Sequence, residues 1–307
     1  MNKLKFQKTT EELRFISEKA VSGIKEKLPA REVLNLIFHS HLSLLEKLIF
    51  LIPSRIVFFK KREDLIFHYR IKKFYEGLKK ENLCLNKDLP FFKGKINEED
   101  VLNILILFYQ IFFQDQYLVK ETIKKNDIVI DAGANLGIFS LFAAYQGAKI
   151  FAFEPVLKTY ERLLENIKYF EAQKDIFPFR FALGESSKES LIKVASPSSA
   201  SRMTDSFPFP KINFIGKEMV RVIPLDIFLR DFNFNKKIDC LKIDTEGYEL
   251  KVLKGAEKTI KKFKPKILIS AYHKKNDKRE IPYFILKIRP DYRYKLIKRG
   301  EEIFIFY

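Results

Sequence analysis

One segment constrains the fold of this chain more than any other: residues 128–140 read IVIDAGANLGIFS. An apolar run ends at Asp131, and glycines follow at positions 133 and 137 before a second apolar stretch begins. Glycine lets the backbone turn sharply and lets a helix approach a sheet closely. The pattern therefore predicts a buried strand, a tight turn and a helix, which together form the first unit of an open α/β sheet. Such sheets bind ligands beyond the carboxyl ends of their strands.

The pattern of the following residues extends this unit into a mostly parallel sheet, because short β-branched or aromatic runs alternate with helical segments. A final pair of strands, at 292–298 and 302–307, is predicted to form a hairpin around Gly300. Parallel strands that end in an antiparallel hairpin indicate the Rossmann-like fold of class I methyltransferases, with seven strands, rather than a dehydrogenase sheet. The other strands are predicted at 127–132, 149–154, 177–183, 238–244 and 266–272.

The N-terminal part of the chain carries a helical pattern instead. Apolar residues recur at helical spacing from Leu13 onward, and a helix is predicted over Glu98–Phe113. We therefore expect a helical accessory region over residues 1–110 and a methyltransferase domain over residues 111–307. Within that domain the Ser- and Pro-rich segment Ser196–Phe214 is predicted to be a long loop of the kind that covers substrates.

The turn after the first strand favours a particular nucleotide ligand. Its pattern is D-x-G-x-N-x-G and not the G-x-G-x-x-G of dinucleotide sites. A carboxylate at Asp131 suits the cationic amino group of S-adenosylmethionine better than it suits a pyrophosphate. Glu154 ends the next strand, about 20 positions after the turn, where an acidic residue accepts hydrogen bonds from ribose hydroxyls.

Several ordered blocks resemble the FkbM family of S-adenosylmethionine-dependent methyltransferases, from about Tyr117 to the end of the chain. The resemblance implies a class I methyltransferase fold, S-adenosylmethionine as cofactor, and a sugar or glycan-like acceptor. Tyr248 stands where related sequences often have a small residue. The blocks are DAGANLGIFS, AFEP, FALGE, VIPLD, LKIDTEGYELKVLKGA and ISAYHKKND.

The resemblance also implies roles for individual residues. It places a glutamate, Glu154, on the ribose hydroxyls, and Ala182 and Leu183 beside the adenine. The residues implied for the methionine and ribose side are Asp131, Gly133, Asn135 and Gly137. Two acidic residues after the fourth parallel strand, Asp244 and Glu246, would border the transferred methyl group, and His273 ends the fifth strand.

The chemistry of the reaction suggests roles for the last three residues. An alcohol has a high pKa, so a positioned general base accelerates its methylation. His273 is the candidate base, because it alone among the histidines stands at a predicted strand end. Asp244 and Glu246 have three interpretations at this stage: they bind a divalent metal, they orient His273 or the acceptor, or Glu246 caps the next helix.

The charge of the chain indicates an anionic partner. The formal net charge is +18, and residues 251–300 hold 17 Lys and Arg against 4 Asp and Glu. With Lys274 and Lys275 beside His273, this predicts an acceptor that carries phosphate or uronate. The alternative is a nucleic-acid methyltransferase that uses the basic C-terminal surface, although the chain contains no N-P-P-Y-like motif.

The remaining features concern location. The cysteines, Cys84 and Cys240, are far apart and predict neither a disulfide nor a metal site, as expected in a cytoplasmic protein. The apolar stretch Leu42–Phe59 is interrupted by charges and Pro53, so it is predicted to pack in a core or to contact a membrane surface peripherally rather than to span it. Neither the acceptor nor the oligomeric state can be read from the sequence.

Overall fold

A computed structural model of the protein describes residues 1–11, 104, 107, 109–196, 202–203, 213–299 and 301–307. Most of the predicted N-terminal helices, the stretch Leu42–Phe59 and much of the predicted loop Ser196–Phe214 lie outside these residues. The predicted boundary at residue 110 therefore stays a prediction. Among the described helices, none is long and apolar enough to cross a membrane.

The described part of the chain folds as strands that alternate with helices. The strands are β1 (Ile128–Ala132), β2 (Lys149–Phe153), β3 (Ile176–Phe179), β4 (Ala182–Leu183), β5 (Lys188–Ser196), β6 (Arg202–Met203), β7 (Asn213–Ile223), β8 (Cys240–Ile243), β9 (Lys266–Ser270), β10 (Tyr294–Arg299) and β11 (Glu301–Phe306). The α-helices are α1 (3–11), α2 (Val119–Thr122), α3 (Ile138–Tyr145), α4 (Leu157–Tyr169), α5 (Leu225–Asp231), α6 (Glu249–Gly255), α7 (Glu257–Phe263) and α8 (Asp277–Ile288), and a π-helical turn spans Tyr109–Phe113.

The main sheet has seven strands in the order β10-β11-β9-β8-β1-β2-β3. All neighbours are parallel except the pairs that involve β11, which is antiparallel to both β9 and β10. This confirms the predicted class I methyltransferase fold with its C-terminal hairpin. The chain adds β2 and β3 on one side of β1 and later adds β8 on its other side. A crevice therefore opens at the carboxyl ends of β1 and β8.

Alternating side chains of the strands bury the two faces of the sheet against two layers of helices. Val129 packs into a cluster with residues of α1, α3 and α4. Its neighbour Ile130 points to the other face and packs into a cluster with residues of α5, α6, α7 and α8. Because both faces are covered, the strands are apolar almost throughout, which is why the sequence predicts them well.

A second sheet has four strands in the order β4-β7-β5-β6. The single strand predicted at 177–183 is wrong: β3 ends at Phe179 in the main sheet, and β4 pairs with β7 in the second one. Arg180 lies between them, and its guanidinium pairs with Glu218 of β7 at 2.6 Å. The segment predicted as a loop also contains β6 and the start of β7.

Candidate active site

The turn after β1 depends on two glycines that serve different purposes. Gly133 has φ +79°, and a Cβ there would lie 1.9 Å from the carbonyl oxygen of Asp244. The turn therefore passes so close to the backbone after β8 that no side chain fits at position 133. Gly137 has φ +82°, and a Cβ there would lie 2.5 Å from a methyl carbon of Leu163 in α4. Gly133 lies on the wall of the cavity at this edge of the sheet, whereas Gly137 packs against α4 and is not among the lining residues.

Asp131 is completely buried beneath this turn, and its carboxylate is already paired with a lysine of the same chain. Its Oδ1 lies 2.9 Å from Nζ of Lys242, and its Oδ2 accepts a hydrogen bond of 2.6 Å from Ser140. Lys242 also donates to the carbonyl oxygen of Gly133, at 2.8 Å, and lies on the cavity wall. Asp131 and Lys242 together support the turn from below, and Lys242 is the member of the pair that faces the cavity.

Glu154 follows β2 and faces the same cavity. Its carboxylate accepts hydrogen bonds of 3.0 Å from the backbone amides of Asn135 and Val156. Burial raises the pKa of Glu154 to about 7, although these two amides act in the opposite direction. Ala182 and Leu183 of β4 line the cavity beside it. The residues expected to contact the ribose and the adenine are thus brought together on one wall.

Asp244, Glu246 and His273 form a second group near the carboxyl ends of β8 and β9. The two carboxylates line the cavity, and the imidazole lies behind them with 5% of its side chain exposed. Nε2 of His273 lies 3.4 Å from Oε1 of Glu246 and 3.8 Å from Oδ1 of Asp244. The two acidic residues predicted to border the transferred methyl group and the histidine predicted as the base therefore lie close together.

Glu249, the first residue of α6, fixes the orientation of this imidazole. Its Oε1 lies 2.9 Å from Nδ1 of His273 and accepts hydrogen bonds from the amides of Thr245 and Gly247. Glu249 therefore closes the turn before α6, and Tyr248 occupies the cap position without a side-chain hydrogen bond to the helix. Burial alone would raise the pKa of Glu249, but the charge of His273 and these hydrogen bonds lower it to about 2.

The same contacts shift the pKa of His273 in the opposite direction, upward. Burial alone would lower its pKa, but the charges of Glu249 and Glu246 outweigh burial and raise the pKa well above its usual range. The carboxylates around the imidazole therefore favour a positive charge at this position.

Three further residues complete this end of the cavity. Tyr117 donates a hydrogen bond of 2.7 Å to Oδ2 of Asp244. Tyr272 and Glu301 line the cavity, and burial, with the charge of Asp244, raises the pKa of Glu301 to about 7. Tyr272 lies within a block that resembles the family, and Tyr117 lies where the resemblance begins, so the sequence offered a signal for both. Glu301 carries no such signal, because only the C-terminal hairpin brings it to the site.

Known proteins that are similar to this chain include two methyltransferases. The chain is 30% identical over 138 residues to the hexuronic acid methyltransferase AglP of Haloferax volcanii, which covers 45% of this chain and 53% of that protein. It is 30% identical over 178 residues to the methyltransferase sdnD of Sordaria araneosa, which covers 48% of this chain and 68% of that protein. The chain thus spans about half the length of the first relative.

Among solved structures, the methyltransferase FkbM of Methylobacillus flagellatus KT is 22% identical to this chain with a TM-score of 0.48, over 68% of this chain and 53% of that one. The model of the methyltransferase FkbM domain matches residues 131–296, which is more than half of the chain and includes Asp131, Glu154, Asp244 and His273. The chain belongs to the FkbM methyltransferase family.

Proposed function

We propose that the protein is an S-adenosylmethionine-dependent O-methyltransferase that acts on a hydroxyl of a sugar, a glycan or a related metabolite. The observation that carries the proposal is the continuity of the cavity. One wall holds Glu154, Ala182 and Leu183, and Asp244 and Glu246 line the same cavity. A cofactor and a hydroxyl acceptor can therefore meet inside a single site.

In this proposal the first wall binds the cofactor. Glu154 accepts hydrogen bonds from the ribose hydroxyls, and the backbone around Asn135 lies beside the same sugar. Ala182 and Leu183 supply an apolar contact for the adenine. The methionine part lies over Gly133, toward Lys242. This orientation directs the methyl group of the sulfonium toward the carboxylates after β8.

Methyl transfer is an in-line displacement, so alignment of the acceptor with the methyl group comes first. The bond between sulfur and the methyl carbon breaks as the bond between carbon and the acceptor oxygen forms, and the sulfonium becomes a neutral thioether. The hydroxyl proton must leave in the same process. We assign its acceptance to the cluster of Asp244, Glu246 and His273, in which the carboxylates reach the cavity wall and His273 holds them in place.

The carboxylates of the cavity wall favour an acceptor that presents hydroxyl groups to them over one that presents an anionic group. Lys274 and Lys275, which suggested phosphate or uronate, do not lie among the lining residues, whereas Lys242 does. Carboxylates accept hydrogen bonds from sugar hydroxyls, and the acidic sugar in the name of the Haloferax relative supports this class of acceptor. A uronate carboxylate would have to point away from the acidic end. The lining carboxylates are those of Glu154, Asp244, Glu246 and Glu301.

The proposal is tested by incubating the full chain with S-adenosylmethionine that carries a tritiated methyl group. The acceptors are neutral oligosaccharides, uronate-containing oligosaccharides and RNA, and mass spectrometry locates the added methyl group. Label on a sugar oxygen that disappears in Glu154→Gln supports the proposal. Label on RNA alone would overturn it in favour of the nucleic-acid alternative, and a chain that fails to bind S-adenosylhomocysteine would overturn both.

A further inference from the structure

The phenol of Tyr248 forms part of the cavity wall just before α6. The residue is 2% exposed and lines the same cavity as Glu154. Its hydroxyl oxygen is buried and makes no hydrogen bond within the described part of the chain. A buried hydroxyl without a partner is costly, and such a group in a native protein calls for an explanation. This hydroxyl is therefore a candidate contact for a molecule that enters the cavity.

The ring of Tyr248 lies on the apolar part of the cavity wall. It packs in one buried cluster with Val156, Ala182 and Ile192, and all four residues line the cavity. Ala182 belongs to the wall that is proposed to hold the adenine. The other side chains of the cluster are apolar, so the hydroxyl of Tyr248 is the polar group that can orient a flat, largely apolar ring placed there.

The surroundings of the ring hold this hydroxyl in place. A Cβ at Gly184, the residue after β4, would lie 3.0 Å from Cε1 of Tyr248 and 2.6 Å from Cγ1 of Val222, so the glycine makes room for the outer end of the ring. The ammonium of Lys251, one turn further along α6, lies 4.5 Å from the ring centroid and covers one face. We therefore expect the hydroxyl to keep its position when a ligand binds, which limits the entropic cost of the contact.

We propose that the hydroxyl of Tyr248 donates a hydrogen bond to a ring nitrogen of the adenine of S-adenosylmethionine. A phenol hydroxyl is a donor, and the ring nitrogens of adenine are acceptors that an apolar wall leaves without hydrogen bonds. The contact makes Tyr248 a specificity-determining residue for the base, whereas Glu154 is proposed to contact the ribose. The inference rests on the proposed function for the presence of S-adenosylmethionine in the cavity.

The test uses Tyr248→Phe, which removes only the hydroxyl, in the full chain. Calorimetry measures the binding of S-adenosylhomocysteine and of its 1-deaza, 3-deaza and 7-deaza analogues, each of which replaces one ring nitrogen by carbon. We expect the unaltered chain to bind one analogue about tenfold more weakly than S-adenosylhomocysteine. Tyr248→Phe should bind S-adenosylhomocysteine about tenfold more weakly than the unaltered chain does, and should not distinguish it from that analogue. Tyr283→Phe in α8 is the matched control, because Tyr283 is 69% exposed, and it should bind all four ligands as the unaltered chain does.

Thermal unfolding separates a ligand contact from a structural role. The hydroxyl of Tyr248 makes no hydrogen bond within the described residues, so Tyr248→Phe should leave the unfolding temperature of the ligand-free protein unchanged or raise it. Saturating S-adenosylhomocysteine should then stabilise the variant less than it stabilises the unaltered chain. A lower unfolding temperature without ligand, combined with unchanged affinity, would show that the hydroxyl supports the fold and would overturn the inference.

The remaining outcomes separate the adenine contact from the proposed function. Equal binding of S-adenosylhomocysteine by the unaltered chain and Tyr248→Phe overturns the contact and leaves O-methylation in place. A rise only in the KM of the acceptor assigns the hydroxyl to the acceptor and also overturns the contact. Discrimination against one deaza analogue that Tyr248→Phe loses, together with no transfer to any hydroxyl, supports the contact and overturns O-methylation. A chain that does not bind S-adenosylhomocysteine overturns both.

Discussion

If Glu154 holds the ribose as proposed, its raised pKa predicts that cofactor binding depends on pH. Its pKa is raised from 4.5 to about 7 by burial, so the empty site holds a protonated carboxyl below pH 7. Ribose hydroxyls that donate to the carboxylate favour its ionised form, and binding near pH 7 should therefore release a proton. We expect the affinity for S-adenosylhomocysteine to rise as the pH increases through 7 and then to level off. Calorimetry in two buffers with different ionisation enthalpies measures both effects.

The same residue supplies the control. Glu154→Gln removes the ionisation and one charge-assisted acceptor, so it should abolish proton release and weaken binding about 10- to 100-fold. The stability of the protein without cofactor should change with pH in the opposite direction to the affinity. Because the folded carboxyl has the higher pKa, its contribution to stability is lost as the pH rises from 4.5 to 7, by about 3 kcal/mol. Affinity that increases on acidification would contradict this role of Glu154.

His273 should affect turnover and not cofactor affinity. The imidazole lies behind the acceptor carboxylates and is absent from the cavity wall that is proposed to bind the cofactor. We expect His273→Ala to lower kcat about 10²- to 10⁴-fold, with the dissociation constant of S-adenosylhomocysteine unchanged. Stopped assays with the acceptor that the labelling experiment identifies give kcat, and calorimetry gives the affinity. Equal losses in both would show that His273 supports the whole site and not the methyl-transfer step.

At the scale of elements, the contact between α6 and the second sheet has no spare room. A Cβ at Gly255, the last residue of α6, would lie 1.9 Å from the carbonyl oxygen of Gly184, whereas one at Gly216 in β7 would meet nothing within 4 Å. Gly255→Ala must push β4 away from α6, and we expect it to cost about 1–3 kcal/mol or more. Gly216→Ala should change stability by less than about 0.5 kcal/mol. Urea unfolding of both variants measures the difference, and equal stability would contradict the tight contact.

The elements that the sequence predicts poorly are those whose partners are distant or exposed. The strands of the main sheet are buried on both faces, so their apolar runs identify them. β5 and β7 are half exposed, and residues such as Lys193 and Lys217 are paired across the two strands. Apolar and polar residues therefore do not alternate regularly along these strands, and the pattern of a half-buried strand is lost. The break between β3 and β4 depends on Arg180 and its pairing with Glu218, 38 positions away. Glu218 also accepts from the amide of Leu157 at the start of α4, a contact that no local pattern reveals.

At the scale of the whole molecule, the first residues of the chain belong to the core of the methyltransferase fold. Phe6 in α1 is 1% exposed, and its ring contacts those of Phe112, Tyr145 and Phe170 at centroid distances of 5.1–5.3 Å. We expect Phe6→Ala to destabilise the protein by about 3–5 kcal/mol, because it leaves a cavity between α1, α3 and α4. Leu4→Ala is the control, since Leu4 is 78% exposed. Thermal unfolding that is the same for both would contradict the packing of α1.

The site as a whole could be predicted only in part. Motif blocks identify Glu154, Asp244 and His273 because each follows a strand of the main sheet. The contact of Tyr117 with Asp244 joins residues 127 positions apart, and Glu301 arrives from a hairpin beyond the last helix. Such convergence is a property of the folded topology. The ionisation of Glu154 and His273 depends on the same convergence, because burial and neighbouring charges determine it.

The crossing of Gly133 over the backbone of Asp244 restricts how new acceptor preferences can be engineered. The cofactor turn and the acceptor carboxylate are in backbone contact, so a library that randomises either one also disturbs the other. Ile192 of β5 and Phe181 line the same cavity without joining that crossing. We therefore expect apolar substitutions of different size at these two positions to reshape the cavity wall without disturbing that crossing.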